Sequence, residues 1–290
     1  MLDYIDGYKF SEIADFAIDF DRTELSLKMF NANAIIFCKT DFISQLFEHL
    51  RFSGRKYILI THMSDYPIDE NRFKKAPKSI IKWFAQNAIY NHSDLIPIPI
   101  GIENHTGRSK GIATDHKWLE DNIERLRSNP KDSQTLYCNW YSPNNPRDRI
   151  GVLQKLRNNH IEYIWGRNCT EDEMENMKES GNKASKISWY DYCDQVSRHK
   201  FMVCPPGNGV SIHQPWEALY MGCIPIVKKH RIYENCDGLP IIQVNDWSEI
   251  TYDLLDSFLN KTYNFEKLYM SYWKTRVLSE FNQISDEKNN

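Results

Sequence analysis

The sequence predicts a mixed α/β chain of two domains, each built on a parallel sheet with helices on both faces. Short apolar runs alternate with amphipathic stretches along most of the 290 residues, which is typical of strands that alternate with helices. A polar stretch at 128–133 interrupts this alternation, which then begins again. We therefore expect a first domain at 1–130, a second at 131–262 and a C-terminal helix at 263–290.

The first half of the chain begins the alternation of strands and helices. Pro77 suits the first position of a helix, where a missing N–H costs nothing, so 78–86 is predicted to be helical. Pro97 and Pro99 leave 95–102 extended but prevent it from being a central strand throughout. The predicted elements are strands at 34–38 and 57–61, helices at 41–50, 78–86 and 115–127, and the extended segment at 95–102.

The second half repeats the pattern with shorter connections. Its predicted strands lie at 135–139, 161–165, 200–204, 223–227 and 240–244, and its predicted helices at 147–158, 188–197, 211–221 and 248–259. The segment 263–281 carries apolar residues on one helical face, so it is predicted to be a helix that returns to the first domain or packs locally. In parallel sheets, ligands bind beyond the carboxyl ends of the strands, so we expect site residues in the loops that follow strands.

Composition and charge exclude several classes of partner. The formal charge of −3 gives no bulk basic footprint for nucleic acid or an anionic membrane. The seven cysteines are scattered without a C-x-x-C pair, which is typical of reduced, cytosolic proteins. No apolar run approaches the roughly 20 residues of a membrane span, and the acidic N-terminus has no secretory pattern. We therefore expect a cytoplasmic protein with no nucleic-acid partner and no membrane span.

The segment at 204–227, CPPGNGVSIHQPWEALYMGCIPIV, is the strongest candidate for chemistry. Gly207 and Gly209 permit unusual backbone geometry and the close approach of a ligand. A helix that begins near Ser211, with this serine as its N-cap, would offer N–H groups to a diphosphate. Glu217 lies about two turns further along, where its carboxylate can accept hydrogen bonds from a ribose diol. The alternative is a tight turn followed by a helix with a solvated Glu217.

The order of residues in this segment resembles the donor-binding segment of exostosin-like glycosyltransferases. The similarity lies in Gly-Asn-Gly, a histidine, Trp-Glu-Ala-Leu and then Gly-Cys-Ile-Pro-Ile-Val. Three further stretches are similar in order, namely 83–104 (WFAQNAIYNHSDLIPIPIGIEN), 137–149 (YCNWYSPNNPRDR) and 196–204 (VSRHKFMVC). The resemblance extends over about 57–247, and it is strongest at 196–227.

This resemblance implies the GT-B architecture, in which two Rossmann-like domains face a cleft and the second binds the nucleotide. It implies an inverting transferase that needs no bound metal or other cofactor. Glu217 matches the residue that binds ribose. The residues that match the turn and helix start at the phosphates and donor sugar are Gly207, Asn208, Gly209 and His213. Arg149, with Arg147 as the second choice, matches the basic residue of the first loop.

One position departs from the family pattern. Many relatives carry an arginine directly after the histidine, whereas this chain has Gln214. If that arginine neutralises the diphosphate, then Arg149, Arg198 or Lys228 must compensate here. The segment Trp165-Gly166-Arg167 follows a predicted strand and either lines the base pocket or is a core tryptophan with a turn glycine.

An inverting transfer needs a general base near the acceptor hydroxyl, and in GT-B enzymes the first domain supplies it. Asp65 is the first candidate because THMSDYP follows a clear strand and resembles a Ser-Asp loop of the relatives. His62 is the second candidate. The remaining candidates after strands are Asp41, Asp69 and Glu103. The alternative for Asp65 is a plain turn residue before Pro67.

No metal-binding or cofactor motif competes with this interpretation. Asp19-Phe20-Asp21 is a D-x-D, the metal motif of the other large glycosyltransferase fold, but no strand is predicted before it. The sequence contains no H-E-x-x-H, no P-loop and no G-x-G-x-x-G fingerprint of a nicotinamide enzyme. We expect no resident metal and no cofactor.

The sequence therefore predicts a glycosyltransferase that moves a sugar from a UDP-sugar to a hydroxyl of an oligosaccharide or glycan acceptor. UDP-xylose is the first candidate donor, because several exostosin-like enzymes transfer xylose. UDP-glucuronate, UDP-galactose and UDP-N-acetylglucosamine stay open. The alternatives are an epimerase or hydrolase of the same fold, or a non-catalytic module that binds a nucleotide or carbohydrate, which Gln214 keeps open.

Overall fold

A computed structural model describes residues 3–19, 31–103, 115–141, 144–175 and 187–286. Its strands are β1 (Phe16–Ile18), β2 (Ala34–Lys39), β3 (Tyr57–His62), β4 (Ile80–Ala85), β5 (Leu95–Pro97), β6 (Asp132–Cys138), β7 (Tyr163–Trp165), β8 (His199–Val203), β9 (Ile224–Lys228) and β10 (Ile242–Val244). They form two five-stranded sheets, and every paired strand is parallel to its neighbours. The predicted class of a mixed α/β chain with two parallel sheets is confirmed.

Helices cover both sheets. They are α1 (Gly7–Ser11), α2 (Ile43–Leu50), α3 (Glu70–Lys74), α4 (His116–Ser128), α5 (Pro146–Arg149), α6 (Val152–Asn158), α7 (Glu171–Glu175), α8 (Trp189–Ser197), α9 (Gln214–Tyr220), α10 (Tyr252–Leu259) and α11 (Met270–Asp286). Short 3-10 turns lie at Thr40–Phe42, Arg231–Tyr233, Trp247–Glu249 and Glu266–Leu268. In the described part of the chain, no helix is both long enough and apolar enough to cross a membrane.

The first sheet runs in sequence order from β1 to β5 and is buried on both faces. Successive residues point to opposite faces, so Ile36 packs with the α2 side chains and Ile35 packs on the other side. The second face is covered by Phe10 of α1 and Trp273 of α11. The continuous apolar strands of the first sheet are typical of a parallel sheet between two helical layers.

The second sheet has the order β10-β9-β8-β6-β7, so the strand order reverses between β6 and β8. One face packs against α4, α8 and α9, and the other against α6 and α10. In a doubly wound sheet, the crevice outside the carboxyl ends of the strands at such a reversal is the usual place for a ligand. The loops after β6 and β8 are therefore the first place to look for a site.

Most predicted elements are confirmed with ends shifted by a few residues, but two expectations are wrong. The segment predicted as a helix at 78–86 is strand β4. Trp83 and Phe84 are buried on opposite faces of the first sheet, a period of two, and the Pro77 carbonyl closes a turn onto the Ile80 N–H at 2.9 Å. In addition, strand β1 directly precedes Asp19, where no strand was predicted. The other members of that D-x-D lie outside the described residues.

The helix before the predicted domain boundary packs with the second sheet. Leu119, Ile123 and Leu126 of α4 share one hydrophobic core with Tyr137 and Met202 of the second sheet. This packing places α4 beside the second sheet, although the predicted limits assign it to the domain at 1–130. The limits at 1–130, 131–262 and 263–290 stay a prediction.

Helix α11 packs on the first sheet, far in sequence from its strands. Trp273 is fully buried against that sheet, and its indole N–H donates to the Lys267 carbonyl at 3.0 Å. At the start of α11, the Ser271 N–H donates to the Asp3 carboxylate at 2.9 Å. The chain therefore passes from the first sheet to the second and returns to the first.

Replacing Trp273 with alanine should lower the free energy of unfolding by about 3–5 kcal/mol, because it deletes a large buried side chain and leaves a cavity. Urea unfolding followed by circular dichroism measures this loss. The matched control is Lys274→Ala, at the exposed neighbouring position of the same helix, which should change stability by about 0.5 kcal/mol or less. Equal stability of the two variants would show that α11 does not belong to the core.

Candidate functional site

The two sheets meet where loops after β3, β4 and β5 face the loop after β8. The Ser211 N–H donates to the Asn87 side-chain carbonyl at 2.7 Å. His213 and the Gly101 carbonyl form a second hydrogen bond at 2.9 Å. These contacts bring the glycine turn, defined as 205–210, against the first sheet. The sequence-predicted residues of both halves therefore lie in one region.

Both glycines of this turn have close neighbours. A Cβ atom on Gly207 would lie 3.1 Å from Arg149 Nη2. A Cβ atom on Gly209 would lie 3.1 Å from Asp65 Oδ1 and 3.2 Å from Asn87 Nδ2. Neither glycine has a φ in the left-handed region, so the expected unusual backbone geometry is wrong. Their role is to let Arg149 and Asp65 approach the turn from two sides.

Arg149 supports the turn from the side of the second sheet. Its guanidinium donates to the carbonyls of Pro206 at 2.9 Å and Tyr141 at 2.6 Å, with a longer contact to Pro205 at 3.4 Å. Burial, followed by the nearby charge of Arg167, lowers the pKa of Arg149 to about 10, so this side chain is still charged at neutral pH. Arg147 is exposed, so the geometry favours Arg149 as the basic residue of this loop.

The helix after the turn begins later than the sequence predicted. Helix α9 starts at Gln214, and its N-cap is His213 rather than Ser211. The N–H of Ser211 is bonded to Asn87, and Pro215 in the first turn has no N–H. This helix start therefore offers fewer free N–H groups to a diphosphate than the sequence predicted.

Glu217 lies on the helix that packs against the second sheet and is almost fully buried. Its carboxyl group accepts a hydrogen bond of 2.7 Å from the Tyr192 hydroxyl. Burial raises the pKa of Glu217 to about 8; the Tyr192 hydrogen bond opposes this rise, and the charge of Glu103 adds to it. The carboxyl group is thus mostly protonated at neutral pH. A group of this kind can exchange its tyrosine partner for a ligand hydroxyl.

His213 carries no positive charge in this setting. Burial lowers the pKa of His213 to about 4, with the Gly101 hydrogen bond opposing and His116 adding to the shift. Because a carbonyl oxygen only accepts, the Nδ1 atom of His213 must carry the proton. The Nε2 atom then presents a lone pair, which suits a sugar hydroxyl better than a phosphate oxygen.

The two predicted base residues have different surroundings. Asp65 is exposed and lies against Gly209 across the contact between the sheets. His62 is buried, its Nδ1 accepts from the Met63 N–H at 2.8 Å, and its Nε2 lies 3.2 Å from the Pro99 carbonyl. Burial lowers the pKa of His62 to about 3. With both ring nitrogens bonded to backbone, His62 has none left for an acceptor, so the geometry favours Asp65, and the choice of base stays a prediction.

The loop that carries Asp65 is held by two buried amides that sequence reasoning missed. Gln86 accepts from the Met63 N–H at 2.9 Å and donates to the Ser64 carbonyl at 3.0 Å. Asn87 donates to the same carbonyl at 2.9 Å and also accepts from Ser211. Met63 and Asn87 both have positive φ, at 61° and 54°, a strained conformation that clusters at functional sites. The signal available in the sequence was the pair of adjacent amide side chains in AQNA, which the structure places directly after β4.

The other base candidates have local partners. Asp41 forms an ion pair with Lys39, which opposes the effect of its partial burial and leaves the pKa of Asp41 lowered. Asp69 caps α3 by accepting from the Arg72 N–H at 2.8 Å. Glu103 is close enough to raise the pKa of Glu217, so it also belongs to the region of the site.

A cavity of about 330 Å³ adjoins the glycine turn. It is lined by Asn145, Asp148, Cys204, Pro206, Gly207, Asn208, Gly209, Val210, Val227, Lys228, His230 and Tyr233. Its volume is within the range of small-molecule sites, which begins at about 300 Å³. Glu217 is not among the residues that line this cavity.

The three cations proposed to compensate for Gln214 occupy different places. Arg149 lies under the turn, and Lys228 lines the cavity, where its ammonium also donates to the Asn245 carbonyl. Arg198 lies at the amino end of β8, the opposite edge of the sheet, and is paired with Asp194 at 2.7 Å. The proposal of Arg198 is therefore wrong. Gln214 itself donates to the Asn139 carbonyl.

Within the described ranges, no group of three or more His, Cys, Asp or Glu side chains is placed to hold a metal ion. The seven cysteines are all free thiols, and Cys169 is the most accessible of them. Neither observation identifies a resident cofactor. The chemistry of the site is that of carboxyl, guanidinium, imidazole and amide groups around a glycine turn.

The contribution of Glu217 to stability should fall as pH rises from about 5 to about 8. The buried histidines His62 and His213, whose pKa values are lowered, act in the opposite direction below about pH 6.5, so the contribution of Glu217 has to be read as a difference from a variant. The carboxyl group ionises near its ordinary pKa of 4.5 in the unfolded chain but only near 8 in the folded protein. Unfolding between these values releases a proton, which lowers the free energy of unfolding by up to about 1.4 kcal/mol per pH unit.

Urea unfolding of wild type and Glu217→Gln across this pH range tests the assignment. The variant has no proton to release, so the stability of wild type relative to the variant should decline as pH rises. Glu124→Gln, at an exposed carboxylate of α4, should follow the wild-type curve. A constant difference between wild type and Glu217→Gln would contradict the raised pKa.

The sequence was also compared with known proteins. No protein-family model matches the chain, and no curated protein matches it. The similarity of the 204–227 segment to exostosin-like glycosyltransferases thus stays a resemblance between motifs, and the geometry of the described residues carries the functional conclusion.

Proposed function

We propose that this protein is an inverting glycosyltransferase that uses a UDP-sugar donor and a hydroxyl of an oligosaccharide or glycan as acceptor. One observation carries the proposal. The exposed carboxylate of Asp65, on the first sheet, lies against Gly209 of a glycine turn that the buried Arg149 supports from the other side. A candidate base and a candidate phosphate turn thus come from different sheets and meet. The GT-B architecture is part of the same proposal.

The chemistry follows from the roles of these groups. Asp65 takes the proton from the acceptor hydroxyl as its oxygen bonds to the anomeric carbon of the donor. The bond from that carbon to the diphosphate breaks, and UDP leaves with the electron pair. Attack from the face opposite the leaving group inverts the anomeric configuration. Positive charge near the turn stabilises the departing diphosphate.

Two features of the described residues support a nucleotide donor. The loops at 139–149 and 205–210 lie at the reversal of strand order in the second sheet, the usual ligand position in such folds. Glu217 lies on the helix that follows the turn, with a hydroxyl group as its present partner. A ribose hydroxyl can replace that of Tyr192 with the same chemistry. UDP-xylose stays the first donor to examine.

A binding and turnover screen tests the function directly. The protein is incubated with each UDP-sugar, with and without oligosaccharide acceptors, and UDP release and the fate of the sugar are measured. UDP release that requires an acceptor supports the transferase. Release without an acceptor indicates a hydrolase, an epimerised sugar indicates an epimerase, and binding without turnover indicates a binding module.

Glu217→Gln should weaken UDP binding by about ten- to a hundredfold, as expected for losing a hydrogen bond to a charged group. Calorimetry above about pH 8 is the sharpest test, because the carboxylate is then ionised. The 2′-deoxy analogue of UDP should bind wild type poorly and lose much less affinity in the variant. Equal losses for both nucleotides would place Glu217 away from the ribose.

Asp65→Asn should lower the rate of transfer by about 10²–10⁴-fold, the usual loss for a missing general base, while UDP binding changes little. Asp69→Asn is the matched control, since it removes a nearby carboxylate while asparagine still caps α3. The control should retain its rate. A normal rate in Asp65→Asn would direct attention to Glu103.

A further inference from the structure

The proposed donor brings a diphosphate to a site with few available cations. His213 is neutral, Gln214 is uncharged, and Arg198 lies at the opposite edge of the sheet. Lys228 lines the cavity, but its ammonium donates to the Asn245 carbonyl and lies 3.7 Å from the Asp246 carboxylate. The Arg149 guanidinium already donates to backbone carbonyls beneath the turn. A leaving group with this charge needs a further cation whose N–H groups are not committed to the protein.

The loop after β7 places Arg167 at the same edge of the second sheet. The Gly166 N–H donates to the Cys138 carbonyl at 2.8 Å, which extends the pairing of β7 with β6. The Trp165 indole N–H donates to the Cys169 carbonyl at 3.0 Å and closes the turn. A Cβ atom on Gly166 would lie 2.2 Å from the Tyr137 hydroxyl oxygen, so the loop is pressed against that side chain. The backbone of Arg167 therefore lies at the carboxyl end of β7, next to β6, where the strand order reverses.

The side chain of Arg167 is partly buried and lacks partners. Its Nε atom is buried and has no hydrogen-bond partner, and no ion pair to Arg167 is found in the described part of the chain. Burial lowers the pKa of Arg167, and the phenol groups of Tyr137 and Tyr192 lie close enough to oppose that shift. Tyr192 is also the partner of Glu217. The guanidinium is thus near the tyrosine that holds the candidate ribose residue.

Two like charges are close together in this region. The charge of Arg167 contributes to the lowered pKa of Arg149, so the two guanidinium groups repel each other in a partly desolvated setting. Such an arrangement is unfavourable in the free protein, because each buried charge normally has an opposite partner. A bound anion would provide that partner for both groups.

We propose that Arg167 binds the diphosphate of the donor, supplying the positive charge that Gln214 does not. The assignment rests on the proposed function and adds a residue to it. Arg149 keeps the turn in shape from below, and Arg167 contributes its free Nε–H and its charge to the phosphate oxygens. The positive charge for the diphosphate is then supplied by the loop after β7 and not by the start of α9.

Calorimetry with UDP and with uridine separates phosphate binding from nucleoside binding. Arg167→Met keeps the length of the side chain without the charge, and it should weaken UDP binding by about ten- to a hundredfold. Uridine lacks the diphosphate, so its affinity should change by less than about twofold. Arg198→Met removes an exposed arginine at the opposite edge and should leave both affinities unchanged. Arg167→Lys restores the charge and should recover part of the UDP affinity.

Urea unfolding of the free proteins distinguishes a binding role from a structural one. Removing a repelled, unpartnered charge should leave the unfolding midpoint of Arg167→Met equal to or above that of wild type. A structural arginine would give a lower midpoint instead. Wild type should gain more stability from added UDP than the variant does, because a ligand stabilises the folded state according to its affinity.

The possible failures can be told apart. Unchanged UDP affinity in Arg167→Met, or equal losses for UDP and uridine, would overturn the role of Arg167 while the proposed function stands. If wild type binds no nucleotide, the proposed function fails, and inorganic pyrophosphate is then the probe. If wild type binds pyrophosphate and Arg167→Met does not, the anion site at Arg167 is supported without the nucleotide. If wild type does not bind pyrophosphate, the anion site is overturned.

Discussion

The arrangement of the site depends on how helix α9 is held at both ends by other parts of the chain. At its start, His213 is bonded to the Gly101 carbonyl at 2.9 Å. At its end, the buried Tyr220 hydroxyl accepts from the Ile5 N–H at 2.8 Å and donates to the Leu268 carbonyl at 2.5 Å. The helix that carries Glu217 therefore cannot move without breaking bonds to the beginning, the middle and the end of the chain.

The same bonds set the distance between the two sheets at the site. Gly101 has a φ of 71°, and a Cβ atom there would lie 1.9 Å from the Ile5 carbonyl oxygen. Only glycine allows the chain to pass this point and still offer its carbonyl to α9. Arg231 adds a further connection, because its guanidinium donates to the Leu95 carbonyl at 2.8 Å. Asp65 and Gly209 are thus brought together by hydrogen bonds between side chains and distant backbone groups, and not by an attraction between these two residues.

The strand and helix alternation could be predicted from the sequence because parallel strands and amphipathic helices differ in period. The helix expected at 78–86 was wrong because Pro77 suits both a helix start and a turn, and only the burial of Trp83 and Phe84 on opposite faces separates the two. The grouping of α4 with the second sheet could not be predicted, because its apolar stripe fits any core.

For the site, the residues with a local signal could be predicted, and those whose role depends on distant partners could not. The glycine turn and Asp65 follow strands and Glu217 lies in the helix after the turn, which are local signals, and the motif order added their proposed roles. The buried amides Gln86 and Asn87 act across the contact between the sheets, so their partners are far away in sequence. The neutral state of His213 is a consequence of burial, which composition does not reveal.

Gln214 departs from the pattern of the exostosin-like segment that 204–227 resembles, and its surroundings show what this side chain does in the structure. The Gln214 amide donates to the Asn139 carbonyl, and the Asn139 amide donates to the Tyr137 hydroxyl at 3.1 Å. The residue therefore positions the loop after β6, which a charged side chain directed at a ligand would not do. Tyr137 in turn contacts Gly166, at the base of Arg167. Gln214 thus orders the loop beside Arg167, so its presence does not by itself favour a binding module over a transferase.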